Sequence, residues 1–152
     1  MDTTSISENT LSNFRLAIKE PSVEETAYLE GSINNFNINL TGIPFNGEIA
    51  VLAYDEQNQI IGGANGFQWG DSFTVEFLWL EDHWRGQDIG TQVMQAIERQ
   101  AAQGGCTQVY LDTYNFQAIN FYQKLGYEVV GKIENFPTPY THYFLKKDLS
   151  GD

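Results

Sequence analysis

Cysteine, positive charge and long apolar runs are all scarce in this 152-residue sequence, and each shortage excludes a kind of site, segment or partner. The single cysteine, Cys106, rules out an internal disulfide and a cysteine-rich zinc site, and no His, Cys and carboxylate group has metal-ligand spacing. No segment approaches the roughly 18 apolar residues of a membrane-spanning helix. The N-terminus also lacks the basic-then-apolar pattern of a signal peptide. These features predict a cytoplasmic protein that needs no metal and contacts no membrane.

Positive charge is missing from one long interval of the chain. The net charge is -12, and no Lys or Arg occurs between Lys19 and Arg85, where Asp and Glu recur throughout. A field of this sign argues against nucleic acid and anionic membranes as partners, and it favours a cationic substrate or partner. A surface that is acidic only for solubility would explain the same composition.

Apolar periodicity predicts one domain over residues 13–150, preceded by a flexible segment over residues 1–12. Helical spacing, capping residues and terminal glycines predict a helix over 22–36 that is interrupted near Gly31, and further helices over 89–103 and 116–126. Alternating or continuous apolar runs predict strands over 13–18, 47–55, 59–69, 72–80, 106–113, 127–135 and 141–149.

The order of these elements predicts an α/β (α+β) fold. The segment between Leu80 and Cys106 is long enough for a helical crossover, which would make the strands on either side of it parallel. The other strands are joined as hairpins. We therefore expect a mixed, mostly antiparallel sheet with a central parallel β-α-β crossover, flanked by helices.

Two features inside the predicted strands concern a possible binding or catalytic role. The glycines at 62, 63 and 66 lie within a strand pattern, which favours a bulge or close packing over a dinucleotide-binding loop. Strict alternation in the strand 72–80 would place Glu76 on the same face as Leu78 and Leu80.

The loop "HWRGQDIGT" (residues 83–91) joins a predicted strand to a predicted helix. Free backbone N–H groups at a helix start attract phosphate, and glycines let the backbone approach it closely. Gly86, Gly90 and the positive charge of Arg85 fit such a loop. Many strand-to-helix turns contain glycine without binding a ligand, however, and Asp88 adds a carboxylate where an anion would sit.

Two motifs resemble those of the GNAT superfamily of acetyl-CoA-dependent N-acetyltransferases. "RGQDIG" (residues 85–90) is similar to that family's Arg/Gln-x-x-Gly-x-Gly/Ala loop. "NFQAINFYQKLGY" (residues 115–127) is similar to its Asn-x-x-Ala-x-x-x-Tyr-x-Lys-x-Gly-Phe/Tyr segment, with the same internal spacing. The element order also agrees, so the resemblance covers the chain after residue 12. Asp88 departs from the pattern because it stands at the first glycine of the loop.

The resemblance implies that acetyl-CoA is the co-substrate and that the parallel strands splay apart to admit its acyl arm. It implies that the pyrophosphate lies on the backbone from Arg85 to Thr91 and that the arm pairs with the strand end. The implied cofactor-binding residues are Leu78, Trp79, Leu80, Arg85, Gly86, Gln87, Asp88, Ile89, Gly90, Thr91 and Asn115. By itself, Asn115 is also typical of a turn or helix cap. Asp88 would either point outward or compete with the pyrophosphate for helix amides.

The resemblance further implies direct attack by a primary amine, with Tyr122 as the general acid that protonates the leaving thiolate. Helical spacing alone also allows Tyr122 to be a core residue. Glu76 is the candidate base, and its alternatives are an anchor for a cationic substrate or a solvated strand residue. The acceptor is expected to be a cationic small molecule or peptide. A non-catalytic acyl-CoA-binding or protein-interaction domain is the alternative function. The exposed aromatics Phe136 and Tyr140 could support a homodimer.

Overall fold

The computed structural model describes residues 4–8 and 13–149, and the chain forms two compact units, Met1–Gly42 and Ile43–Asp152. In the first unit, strand β1 (Thr4–Glu8) pairs antiparallel with β2 (Arg15–Ile18), and helix α1 (Val23–Thr41) follows. Strand β2 lies where the sequence predicts it. Strand β1 lies within the segment expected to be flexible, and the domain boundary at residue 12 stays a prediction.

Helix α1 is longer than its sequence pattern suggests. It begins with a capping box, in which the Ser22 hydroxyl accepts from the Glu25 amide and the Glu25 carboxylate accepts from the Ser22 amide. It then runs without a break through Gly31 and ends at Gly42, which has a left-handed φ of 73°. The predicted interruption near Gly31 is therefore wrong. One glycine costs a helix only about 1 kcal/mol, which good capping and a 19-residue length can absorb.

The second unit is a six-stranded sheet in the order β3-β4-β5-β6-β8-β7, with two helices and a short 3₁₀ turn. Only β5 and β6 run parallel among the paired strands that the structure describes, so the expected mixed sheet with one crossover is confirmed. The elements are β3 (Phe45–Tyr54), β4 (Ile60–Trp69), β5 (Ser72–Leu80), the 3₁₀ turn (Asp82–Trp84), α2 (Ile89–Gln103), β6 (Gln108–Tyr114), α3 (Ile119–Lys124), β7 (Glu128–Ile133) and β8 (His142–Asp148).

The parallel strands β5 and β6 separate after a short shared ladder. Their pairing runs from Ser72 opposite Gln108 to Thr74 opposite Tyr110, whereas β5 continues to Leu80 and β6 to Tyr114. The carboxyl ends of these two neighbouring parallel strands therefore do not pair with each other. Their separation opens a gap in the middle of the sheet, at the end where both strands finish.

A bulge in β5 changes which side chains share a face. Gly66 pairs with Val75 and the next residue back, Asn65, pairs with Phe77, so Glu76 is the extra residue. A Cβ at Gly66 would collide with the Thr74 carbonyl oxygen, which explains the glycine and confirms the expectation of a bulge and close packing. Strict alternation along β5 is therefore wrong. Glu76 is exposed, whereas Leu78 packs against the core.

The core of the second unit lies between helix α2 and the sheet. Phe73, Met94, Ile97, Leu111 and Leu145 are its largest fully buried side chains. The apolar face predicted for α2 is confirmed, since four of its members are buried there: Val93, Met94, Ile97 and Ala101. No helix in residues 4–8 and 13–149 is long and apolar enough to span a membrane.

Candidate active site

A cavity of about 820 Å³ opens at the carboxyl ends of β5 and β6, beside the first turn of α2. It is lined by nine of the residues predicted to bind the cofactor, namely Leu78, Trp79, Leu80, Arg85, Gly86, Asp88, Ile89, Gly90 and Thr91. Four further lining residues come from the α3 segment and were missed by the sequence analysis, namely Phe116, Gln117, Ala118 and Phe121. They lie within the second motif (residues 115–127) and directly after the end of β6, and these two features were the signals that could have identified them.

Asp88 is the N-cap of α2 and has left-handed backbone angles, with φ 68° and ψ 10°. Glycine adopts this region at no steric cost, and aspartate tolerates it better than most residues. This accounts for the glycine of the family's loop and for the aspartate that replaces it in this chain. Within the described chain, its carboxylate accepts no capping hydrogen bond. The free N–H groups in the first turn of α2 are therefore not occupied by Asp88, and an anion in the cavity could accept from them.

Arg85 is held against the end of β5. Its guanidinium carbon lies 4.9 Å from the centre of the Trp79 ring, and its Nε donates to the Leu80 carbonyl oxygen at 2.9 Å. A second contact joins its NH1 to Asp82 at 3.2 Å, but both side chains are well exposed, so this ion pair adds little stability. The positive charge thus stands at the mouth of the cavity, next to the strand edge predicted to bind the acyl arm.

The remaining two predicted cofactor residues do not line the cavity. Gln87 donates its side-chain amide to the His83 carbonyl oxygen at 3.2 Å and braces the loop. Asn115 makes two bonds with the backbone of Thr141, donating its own N–H to the carbonyl oxygen and accepting the amide at its Oδ1, each at 3.1 Å. Asn115 therefore extends the β6–β8 pairing, which matches its alternative interpretation as a turn residue.

Tyr122 lies in α3 with its side chain in the core, and only 7% of the residue is exposed. Its ring meets Phe121 and Tyr127 edge-on, at centroid distances of 5.3 and 5.9 Å. Burial, together with the nearby negative charge of Asp112, raises the pKa of the Tyr122 phenol to about 12. Tyr122 is thus a core residue whose hydroxyl stays protonated at neutral pH, which a general acid requires.

A buried polar group lies behind Tyr122. The Tyr127 hydroxyl donates to Glu98 at 3.1 Å, and Lys147 donates to the other Glu98 oxygen at 2.6 Å. Burial and the Glu98 charge raise the pKa of the Tyr127 phenol above its usual range. Glu98 is 8% exposed, so both bonds are needed to offset its desolvation. This group fixes the ring against which Tyr122 packs, and nothing in the sequence pattern indicated it.

A second group of polar and aromatic side chains lies on β6, on β8 and in the segments beside them. His142 donates or accepts at Nε2 with Asp112 at 2.6 Å, and its ring stacks on Tyr114 at 4.4 Å. Phe136 and Phe144 also contact the imidazole, at 5.7 and 4.7 Å. We call this set the His142 cluster, and it comprises Asp112, Tyr114, Phe116, Phe136, Tyr140, His142 and Phe144.

The chain resembles known acetyltransferases in sequence and in structure. The model of the GNAT acetyltransferase family matches residues 14–127. Blasticidin-S acetyltransferase of Streptomyces morookaense is 31% identical over 66% of this chain and 74% of that protein. The crystal structure of an acetyltransferase from Bacillus cereus superposes with a TM-score of 0.76, at 28% identity, over 87% of this chain and 96% of that one. An aminoglycoside 6'-N-acetyltransferase complexed with coenzyme A has the same fold, with a TM-score of 0.62 at 20% identity, over 86% and 83% of the two chains.

The six-stranded sheet is splayed where β5 and β6 run parallel, and the start of α2 faces the gap. This is the arrangement of an acyl-CoA-dependent transferase. The chain belongs to the GNAT acetyltransferase family. It is accordingly an acyltransferase, and the resemblance identified from the two sequence motifs is confirmed.

Proposed function

We propose that this protein transfers the acetyl group of acetyl-CoA to a primary amine on a cationic small molecule or peptide. The observation that carries the proposal is the cavity where β5 and β6 part, which combines an open strand edge with the first turn of α2, whose amides the Asp88 carboxylate does not cap. A thioester arm needs the strand edge, and a pyrophosphate needs the helix amides. Solved relatives that hold coenzyme A support this choice of co-substrate.

In the proposed complex the backbone from Arg85 to Thr91 binds the pyrophosphate, and residues Leu78 to Leu80 bind the acyl arm. Arg85 already donates to the Leu80 carbonyl oxygen, so part of this edge becomes available only when the guanidinium turns toward the pyrophosphate. Asn115 is proposed to contact the arm through its side-chain amide, since its Oδ1 is engaged by Thr141.

For the chemical step, the amine must lose a proton before it attacks the thioester carbonyl. We propose that Glu76, exposed at the β5 bulge, takes this proton through a water molecule. The tetrahedral oxyanion is stabilised by a backbone N–H of the splayed strand. Collapse of the intermediate breaks the C–S bond, and Tyr122 donates its phenolic proton to the departing thiolate. The second proton of the attacking nitrogen then passes to the Tyr122 phenolate, which leaves a neutral amide and restores the acid. The pKa of about 12 keeps Tyr122 in the donating form.

The acceptor is proposed to be an amine with positive charge. The Lys- and Arg-free interval of the sequence supports a cationic acceptor, and so do the antibiotics that two relatives are named for. Those names describe the relatives and define a chemical class to test here.

The proposal is tested by incubating the pure protein with acetyl-CoA and a panel of amines while free thiol is followed. Saturable, amine-dependent thiol release supports an N-acetyltransferase. Saturable binding of acetyl-CoA without thiol release across polyamines, aminoglycosides, nucleoside amines and peptides would favour a binding domain that has lost turnover. The Asp88 carboxylate at the cavity is the feature that makes this second outcome worth testing.

A further inference from the structure

We propose that the His142 cluster is the binding site for the acceptor, and that the acceptor carries its ammonium group on a flat or apolar ring system. This inference rests on the proposed function and specifies the substrate class for it. It uses residues that neither sequence motif includes, apart from Phe116.

The cluster begins at the wall of the cavity. Phe116 lines the cavity, and its ring also stacks on Tyr114 at 5.2 Å and meets Tyr140 edge-on at 4.7 Å. Tyr114 in turn stacks on His142. A molecule bound on these rings would therefore lie directly beside an acyl group held in the cavity, which is the position an acceptor has to occupy.

The cluster contains one carboxylate that is open to solvent and fixed in place. Asp112 has 42% of its side chain exposed, and its Oδ2 lies 2.6 Å from Nε2 of His142. The negative charge of Asp112 also acts on the Tyr122 phenol, whose pKa it helps to raise. The charge of Asp112 is therefore close enough to act on the proposed general acid, and an ammonium group on the aromatic surface would pair with its carboxylate.

The environment of His142 explains how the carboxylate is held. The imidazole stacks on the rings of Tyr114 and Phe136, with interplanar angles of 11° and 1°. Its Nδ1 is buried and has no hydrogen-bond partner in the part of the chain that the structure describes. A bare lone pair is cheaper to bury than an unpaired N–H, so we assign the proton to Nε2, which then donates to Asp112. A carboxylate oriented by such a bond keeps its position when a ligand binds.

The chemistry of the surface defines the ligand. Phe116, Phe136 and Tyr140 are exposed by 58%, 51% and 42%, so their ring edges and faces are free to contact a ligand. Aromatic faces attract organic cations and stack on flat rings, whereas they offer nothing to a small hydrated ion. A carboxylate among such rings selects an amine that also carries apolar or planar surface.

The test compares two amines of equal charge, 2-phenylethylamine and butylamine. Their dissociation constants are measured by calorimetry on the protein saturated with coenzyme A, in which no turnover occurs. The variants are Phe136→Ala, Phe136→Leu and Asp112→Asn. Phe45→Ala removes a comparably exposed ring, at 44% against 51% for Phe136, at the opposite edge of the sheet and serves as the matched control.

We expect Phe136→Ala to weaken 2-phenylethylamine about tenfold and butylamine less than about twofold, with Phe136→Leu between the two. Asp112→Asn should weaken both amines about tenfold or more and leave the Kd of coenzyme A unchanged. Phe45→Ala should change neither amine. Equal losses for both amines in Phe136→Ala, or no loss in Asp112→Asn, would overturn the inference.

Light scattering on the same variants tests the alternative role of these rings, a contact between two copies of the chain. If Phe136→Ala converted a dimer to a monomer while both amines bound as before, the exposed aromatics would be a contact between copies and the inference would fail. Failure of the proposed function looks different. In that case the wild-type protein would bind 2-phenylethylamine at the cluster but release no thiol from acetyl-CoA with any amine. The His142 cluster would then be an amine-binding site in a protein without transferase activity.

Discussion

The donor cavity and the His142 cluster lie side by side but are built in different ways. The cavity relies on backbone groups, since it uses a helix start and a strand edge. Its special positions are Gly86 and Asp88, whose left-handed backbone angles shape the main chain. The cluster relies on side chains from β6, β8 and their flanking segments, and Asp112 and His142 are 30 positions apart. A backbone site can be specified within a few consecutive residues, whereas a side-chain site depends on strand register.

Tyr122 is the proposed general acid, so its hydroxyl should matter more for kcat than any single side chain that lines the cavity. Tyr122→Phe should lower kcat about 100-fold or more, because loss of a general acid typically costs 10²–10⁴, and should change both KM values by less than about twofold. Steady-state kinetics with both substrates varied will measure this. Tyr127→Phe is the control, since it removes a buried hydroxyl from a neighbouring ring and should cost about 1–3 kcal/mol of stability but little of kcat. Equal kcat losses in both variants would assign Tyr122 to packing alone.

Gly90→Val should damage the donor cavity and leave the His142 cluster intact. A Cβ at Gly90 would lie 3.3 Å from Cζ of Phe121, and the two further methyl groups would project into the cavity or displace that ring. Overpacking of this kind should raise the KM for acetyl-CoA about tenfold while the Kd of a ring-bearing amine changes less than twofold. Gly31→Val is the control because a Cβ there meets nothing within 4 Å. If the amine Kd rose with the KM, the two regions would not be separable.

The raised pKa of Tyr122 predicts a specific pH dependence. The folded state holds the phenolic proton more tightly than the unfolded state, so this contribution to stability is fully present below about pH 10 and is lost as pH rises toward about 12. The free energy of unfolding should fall by about 1 kcal/mol per pH unit more steeply in the wild type than in Tyr122→Phe over pH 10–11. Denaturant titrations at pH 9, 10 and 11 test this. Parallel curves for the two proteins would show that burial does not hold the proton.

Most of the fold could be predicted from the sequence because its strands and helices are local patterns. The crossover between β5 and β6, the apolar face of α2 and the close-packed glycines of β4 all followed from spacing. Strand β1 was missed because Thr4–Glu8 has little apolar alternation, and Gly31 was misread because capping at Ser22 outweighs one weak helix former. Helix and strand propensities are local signals. Strand β1 depends instead on its pairing with β2, and the continuity of helix α1 through Gly31 depends on its capping.

The site was predictable only where the chain forms it from neighbouring residues. Nine predicted residues line the cavity, whereas Glu76 was wrongly grouped with Leu78 and Leu80 because one bulge shifts the alternation of β5. The Asp112–His142 contact follows from the register of β6 on β8, in which Tyr114 pairs with His142. That register is a long-range property that no short motif contains.

Asp88 should have the smallest effect, although it is the one departure from the family's loop. Because its carboxylate makes no capping bond within the described residues, removing it frees no amide; it removes only a negative charge that faces the cavity and the strain of a left-handed aspartate. We expect Asp88→Gly to lower the KM for acetyl-CoA about two- to threefold, with stability changed by less than about 1 kcal/mol, and to leave the amine Kd unchanged. Glu56→Gly, which removes an exposed carboxylate in the turn between β3 and β4, outside the cavity lining, is the charge-matched control. A tenfold gain in Asp88→Gly would mean that the carboxylate does turn onto the α2 amides in solution, whereas an unchanged KM would mean that it lies too far from the pyrophosphate to repel it.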